Sequence, residues 1–165
     1  MKKKTIVQVL MCSILMLMLS CPFTSLAAES KELETTEQSV EKSIEDLFIL
    51  INQKRAEVGN TALIYDSALE KTSGIRVLEI STSFLHTRLD GRHFSTALTD
   101  LGISFKRSAE VLAYNCQEAG QVLDVWMNSP FHCEAILSPK YTHIGISQHI
   151  TADGQIFWTA HLSSQ

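Results

Sequence analysis

Two runs near the end of the chain alternate between apolar and polar residues, His143–Ile150 and residues 156–162, with Asp153-Gly154 between them. A period of two sends successive side chains to opposite faces, and an Asp-Gly turn joins such runs into an antiparallel hairpin. A hairpin cannot stand alone in water, so the rest of the chain must supply further strands or a covering layer. Residues 106–114 read as another strand, with Glu110, Leu112 and Tyr114 on one face and Ala109, Val111 and Ala113 on the other.

The covering layers read as helices. Ile44, Leu47, Phe48 and Ile51 fall at i, i+3, i+4 and i+7, an apolar stripe that Gly59 brings to a stop. Ser67-Ala68-Leu69-Glu70 has the form of a capping box and opens a second helix. Leu69, Ile75, Leu78 and part of residues 77–80 supply its buried side, with Arg76 and Glu79 exposed or paired. Gly74 weakens its middle by about 1 kcal/mol relative to Ala. Residues 84–94 are a loop turning at Asp90-Gly91, and residues 94–101 a short helix closed by Gly102. A further helix over residues 118–128 turns Val122, Val125 and Trp126 inward and ends at Pro130. Helices and antiparallel strands without a regular βαβ repeat make an α+β domain.

The first 27 residues follow another logic. Lys2, Lys3 and Lys4 precede an apolar run from about Ile6 to Leu19, and Ser25-Leu26-Ala27-Ala28 offers small residues for cleavage. That order is a secretory signal peptide, and the run falls short of the roughly 20 residues a spanning helix needs. Leu19-Ser20-Cys21 is the alternative, a lipoprotein box that would anchor the chain to the envelope through Cys21. Residues 28–38 are polar and acidic and read as a linker, leaving residues 39–165 as the domain. Without the signal, 11 Lys and Arg face 18 Asp and Glu, a charge of −7 with His neutral. That balance excludes a nucleic-acid partner and electrostatic docking to anionic lipid, leaving the signal segment or a lipid on Cys21 as the membrane contacts.

Three stretches resemble a known family. Phe84-Leu85-His86-Thr87-Arg88-Leu89-Asp90-Gly91 is similar to the His-Thr-Arg-Pro-Asp-Gly segment of bacterial SCP-like proteins of the CAP superfamily. Ser108-Ala109-Glu110-Val111-Leu112-Ala113-Tyr114 resembles their Gly-Glu-Asn-Ile-Ala strand. Trp126-Met127-Asn128-Ser129-Pro130-Phe131-His132, with residues 135–139 and 141–145, resembles Trp-Met-Asn-Ser-Pro-Gly-His-Arg-Ala-Asn-Ile-Leu and its Thr-His-Ile-Gly continuation. The resemblance implies an α-β-α sandwich with a central antiparallel sheet. It also implies a cleft lined by His86, Glu110 and His132; the second glutamate of many eukaryotic members would fall near Ser129 and is missing. Ala109, Val111, Phe131 and Cys133 depart from the family pattern beside these residues.

Two imidazoles and a carboxylate suit Zn²⁺, with His86 and His132 as candidate ligands, or proton transfer, or a polar cluster that binds nothing. Arg88 reads as structural, holding Asp90 or the end of a neighbouring element. His143, His149 and His161 read as surface or satisfied strand residues, and His93 as a loop surface residue. No Gly-x-Ser-x-Gly elbow is present. Outside the cytoplasm Cys116 and Cys133 are a candidate disulfide, worth about 3 kcal/mol for a loop of this length. The resulting expectation is a secreted binding module for a lipid, cell-wall or host ligand that requires no cofactor. A metal-assisted extracellular hydrolase is the alternative.

Overall fold

The computed structural model describes residues 23–164. The lysine cluster, the apolar run and Cys21 lie outside the described residues. Contacts divide the chain into Met1–Ser39 and Val40–Gln165. Helix α1 runs over Phe23–Glu57, so residues 28–38, expected as a linker, are helical. Glu34 to Ser39 are all exposed on it.

Beyond Ser39 the elements are the remainder of α1, β1 (Ile64–Tyr65), α2 (Ser67–Thr82), α3 (Thr96–Asp100), β2 (Arg107–Tyr114), α4 (Ala119–Met127), α5 (Pro130–Leu137), β3 (His143–Ile150) and β4 (Ile156–Ser164). The sheet order is β1-β3-β4-β2. β2, β3 and β4 pair antiparallel, and the two-residue β1 joins β3 in parallel.

Alternation along the strands divides the core in two. Val111, Ala113, Ile144, Ile146, Trp158, Ala160 and Leu162 face one way and pack with Leu47 and Ile51 of α1, Val122 and Trp126 of α4 and Ile136 of α5. Leu112 and Phe157 face the other way and pack with Val77 and Ile80 of α2. Helices thus cover both faces, the expected α-β-α sandwich. Each fully buried Leu or Ile contributes about 1.5–3 kcal/mol. The Trp158 indole donates to Cys116 O at 2.8 Å and the Trp126 indole to Leu112 O at 3.0 Å, so neither ring buries an unmet N–H.

Local chemistry departs from the sequence expectation in four places. The N-cap of α2 is Asp66, whose carboxylate accepts from the backbone N–H groups of Ala68 and Leu69, one residue before the expected Ser67. Leu78, expected inward, is 54% exposed, because α2 turns a more polar side to the sheet than a hydrophobic count suggests, with Arg76 buried and, as expected, paired. Val125, expected inward, is exposed on α4. Pro130 does more than end α4: it opens α5 at the first helical turn, where its missing N–H costs nothing.

Two close approaches fix the layers. A Cβ on Gly145 would stand 2.0 Å from Glu70 N and 2.2 Å from Leu69 C, so α2 reaches β3 only because residue 145 has no side chain. On the opposite face the buried Arg55 donates to Thr61 O at 2.9 Å, Ser138 O at 3.0 Å and Tyr141 O at 3.3 Å, and also to Ile136 O. It satisfies carbonyls at the C-terminal end of α5 and sets where that helix, and His132 with it, lies against the domain.

Candidate functional site

His86 leaves α2 on the loop that follows it, Glu110 projects from edge strand β2, and His132 sits in α5. The structure brings the three together although 24 and 22 positions separate them in sequence. The imidazoles of His86 and His132 have centroids 6.4 Å apart. They line one open cleft of about 520 Å³ with Glu110, Phe94, Phe131 and the rim residue His93.

Glu110 is the hub. Its Oε2 accepts from Arg76 Nε at 2.7 Å, and its Oε1 from Arg76 Nη2 at 3.2 Å. The same Oε1 lies 2.9 Å from His86 Nδ1. Burial works against its ionisation, but contacts with His161, His86 and Arg76 outweigh burial and hold the carboxyl well below the usual carboxylate range. An ionised carboxylate only accepts, so His86 Nδ1 carries the proton and Nε2 is left free. The Glu110 side chain has no exposed surface, while the His86 side chain is half exposed. Glu110 therefore orients His86 and does not itself meet solvent.

Arg76 extends the network outward. It pairs with Glu79 and donates to Leu85 O at 2.7 Å, pinning the residue before His86. Glu79 accepts from Arg88 Nη2 at 2.8 Å, and Arg88 Nη1 reaches Asp100 at 2.7 Å. Of the two expected anchors for Arg88, the end of a neighbouring element is the one it takes, at Asp100, the last residue of α3, while Asp90 pairs with Arg92 at 2.7 Å. Loop 84–94 is held by this ionic chain and by the Thr87–His93 bridge. His86 thus stands on a braced loop.

Sequence reasoning missed His161. It is the cross-strand partner of Glu110 in the β2–β4 ladder, and its Nε2 lies 3.4 Å from Glu110 Oε2. Ser73 Oγ donates to Gly145 O at 2.8 Å, so the 3.0 Å contact between Ser73 Oγ and His161 Nδ1 is a bond donated by the ring. Nε2 is buried and faces the Glu110 carboxylate without completing a hydrogen bond. Burial lowers the His161 pKa, and Glu110 pulls the other way. Strand alternation could have found it, since residues 157, 159 and 161 share the face of Glu110 and Leu112. His132 is also held below its ordinary value, by burial first and then by the charge of His86. Its Nδ1 is buried without a hydrogen-bond partner.

Zinc sites take three or four protein ligands. Here Glu110 is committed to Arg76, and among the described residues no three His, Cys, Asp or Glu side chains are grouped to hold a metal ion. His86, Glu110 and His132 as arranged do not make a three-ligand zinc site. Cys116 and Cys133 are free thiols rather than the expected disulfide. Cys116 is buried and Cys133 half-buried.

The model of the CAP family, described as the cysteine-rich secretory protein family, matches residues 48–162. The protein YkwD of Bacillus subtilis (strain 168) is 28% identical over 99 residues, 59% of this chain and 38% of YkwD. The match thus spans well under half of that relative's length. Among solved structures, an outer surface protein from Borrelia burgdorferi has a TM-score of 0.70 at 22% identity, covering 75% of this chain and 93% of that one. An extracellular protein containing an SCP domain from Bacillus anthracis gives 0.66 at 18%, covering 76% and 41%. A cysteine-rich secretory protein from Staphylococcus aureus gives 0.65 at 19%, covering 76% and 39%. At these identities the structural likenesses establish the fold alone. No helix among the described residues is long and apolar enough to cross a membrane.

Proposed function

The chain belongs to the CAP family of cysteine-rich secretory proteins, and from that premise we propose that it is an extracellular binding module whose His86–Glu110–His132 cleft holds a ligand without cleaving it. The observation that carries this reading is that, among the described residues, the cleft lining presents imidazoles, hydroxyls and aromatic rings in place of accessible carboxylates, lysines or arginines. Glu110 is sealed beneath His86 and Arg76, and none of the lining residues is Lys or Arg. The cleft offers imidazoles, the rings of Phe94 and Phe131, and the Ser108 and Ser129 hydroxyls. Phe131 is 84% exposed at its rim, an apolar surface that a ligand would cover. Such a lining suits a neutral, partly apolar ligand, the class that contains lipids and uncharged cell-wall glycans.

The alternative is a hydrolase. The His86–Glu110 hydrogen bond favours it, because an imidazole oriented by a carboxylate is the arrangement a general base uses. Against it, the lining provides no cationic side chain to stabilise a developing oxyanion. The metal-assisted form further requires Glu110 to leave Arg76. Stoichiometric zinc retained through dialysis, together with turnover, would establish it.

Native mass spectrometry of the protein recovered from its own culture medium tests the proposal. A neutral organic adduct, absent from His132→Ala and reduced in Phe131→Ala, is expected. An adduct retained in both variants, or a substrate turned over by wild type and not by His86→Ala, would overturn it.

A further inference from the structure

A second concave surface lies where α1, β1 and α2 meet, with a volume of about 330 Å³. It shares no residue with the histidine cleft. Glu70, on its wall, is separated from the end of α2 by about 18 Å of helix. Glu41, Ile44, Glu45 and Phe48 follow i, i+3, i+4 and i+7 spacing and form one wall from α1; Tyr65 of β1 and Glu70 of α2 form the other. Phe48 and Tyr65 pack edge to face with centroids 5.3 Å apart. The Tyr65 hydroxyl donates to Ile146 O at 3.2 Å, which fixes its ring.

The charge at this groove is one-sided. Glu41, Glu45 and Glu70 make no ion pair among the described residues, whereas Glu79, Asp90, Asp100 and Glu110 are each paired with arginine. Among the described residues no Lys or Arg lines the groove. Burial raises the Tyr65 pKa, and the neighbouring Glu70 carboxylate raises it further, in keeping with a negative potential there. Carboxylates alone would suit a hard metal ion, which needs oxygen ligands on all sides. Half of this surface is instead Ile44, Phe48 and Tyr65. Aromatic rings with carboxylates around them are the chemistry that attracts organic ammonium groups through cation–π and Coulomb terms together.

We propose that the groove formed by Phe48, Tyr65, Glu41, Glu45 and Glu70 binds an organic cation, specifically an alkylated ammonium group. The rings supply the face against which the methyl groups lie. The carboxylates supply the counter-charge, and the net negative charge of the domain adds attraction at longer range.

The test is an amide NMR titration of the protein from residue 28 onward with choline, with its neutral isostere 3,3-dimethylbutanol run in parallel. Choline should produce saturable shifts centred on Phe48, Tyr65 and Glu70, and the isostere should bind at least about tenfold more weakly. Glu45→Gln, an exposed change that disturbs no packing, should weaken choline about threefold. Tyr65→Phe keeps the ring and should bind within about twofold of wild type; Phe48→Leu should lose about tenfold. Co-sedimentation with phosphatidylcholine vesicles identifies a lipid headgroup as the source of the ammonium group, and binding of free choline without co-sedimentation identifies a soluble one; both support the site. Equal affinity for choline and its isostere, shifts centred on His86 and Phe131, or no saturable shift would each overturn it.

Discussion

Replacing Arg76 by Met removes both donors to Glu110 and leaves a fully buried carboxylate facing only His86 and His161. The wild-type Glu110 pKa is depressed, so its contribution to stability is fully present above the unfolded pKa near 4.3 and is lost only as pH falls below that value. In the variant the sign reverses. Desolvation without Arg76 raises the folded pKa above the unfolded one, so the cost is greatest at high pH and is relieved as pH falls. A carboxyl that stays neutral while its unfolded counterpart ionises costs about 1.36 kcal/mol per pH unit above 4.3. Between pH 5 and pH 7 the loss therefore grows by at most about 2.7 kcal/mol, on top of the stabilisation that Arg76 gave the ionised carboxylate at both pH values. A proton taken up by His86 or His161 in place of Glu110 lowers it further. Urea unfolding of wild type and Arg76→Met at both pH values measures it, with the same pair repeated in a Glu110→Gln background. Equal losses at pH 5 and pH 7, or an undiminished loss at pH 7 in the Gln background, would refute the reasoning.

Gly145→Ala should destabilise the domain by about 3 kcal/mol, since α2 backbone atoms must move by more than any side-chain adjustment allows; chemical denaturation reads this, and a change under 1 kcal/mol would refute the close approach. Two thiols should titrate in the unfolded, non-reduced protein, and in the native state Cys133 should react before Cys116, which is buried and whose thiol pKa burial raises. No titratable thiol in the unfolded protein would show that the disulfide forms. Intact mass of the exported protein should place its first residue at Ala28 or Glu29; a diacylglyceryl adduct on Cys21 would replace secretion with anchoring.

Strand alternation and helix stripes made most of the fold legible, because burial on a sheet and on a helix each imposes its own period. The hairpin, the faces of β2 and the stop at Gly59 all follow from that. What escaped did so for local reasons. Residues 130–137 mix apolar residues with His132 and Glu134 at no helical period and open on Pro130, so no stripe announced α5. Two residues of β1 are too few to show a period. In the cleft, His86, Glu110 and His132 were found through motif resemblance, since spacing alone cannot bring together positions on three elements. Arg76 and His161 carry no motif. Their importance appears only once α2 lies on β4 and places a guanidinium and an imidazole against one buried carboxylate.

The central claim is that the cleft holds a ligand intact. A crystal structure of the protein purified from its own culture medium, without additives, tests it most directly. The account predicts electron density for a whole organic molecule against Phe131, His86 and His132, with Glu110 still held by Arg76. Density for a cleaved fragment in the cleft, or Glu110 turned out to face the ligand or a metal ion, would contradict it.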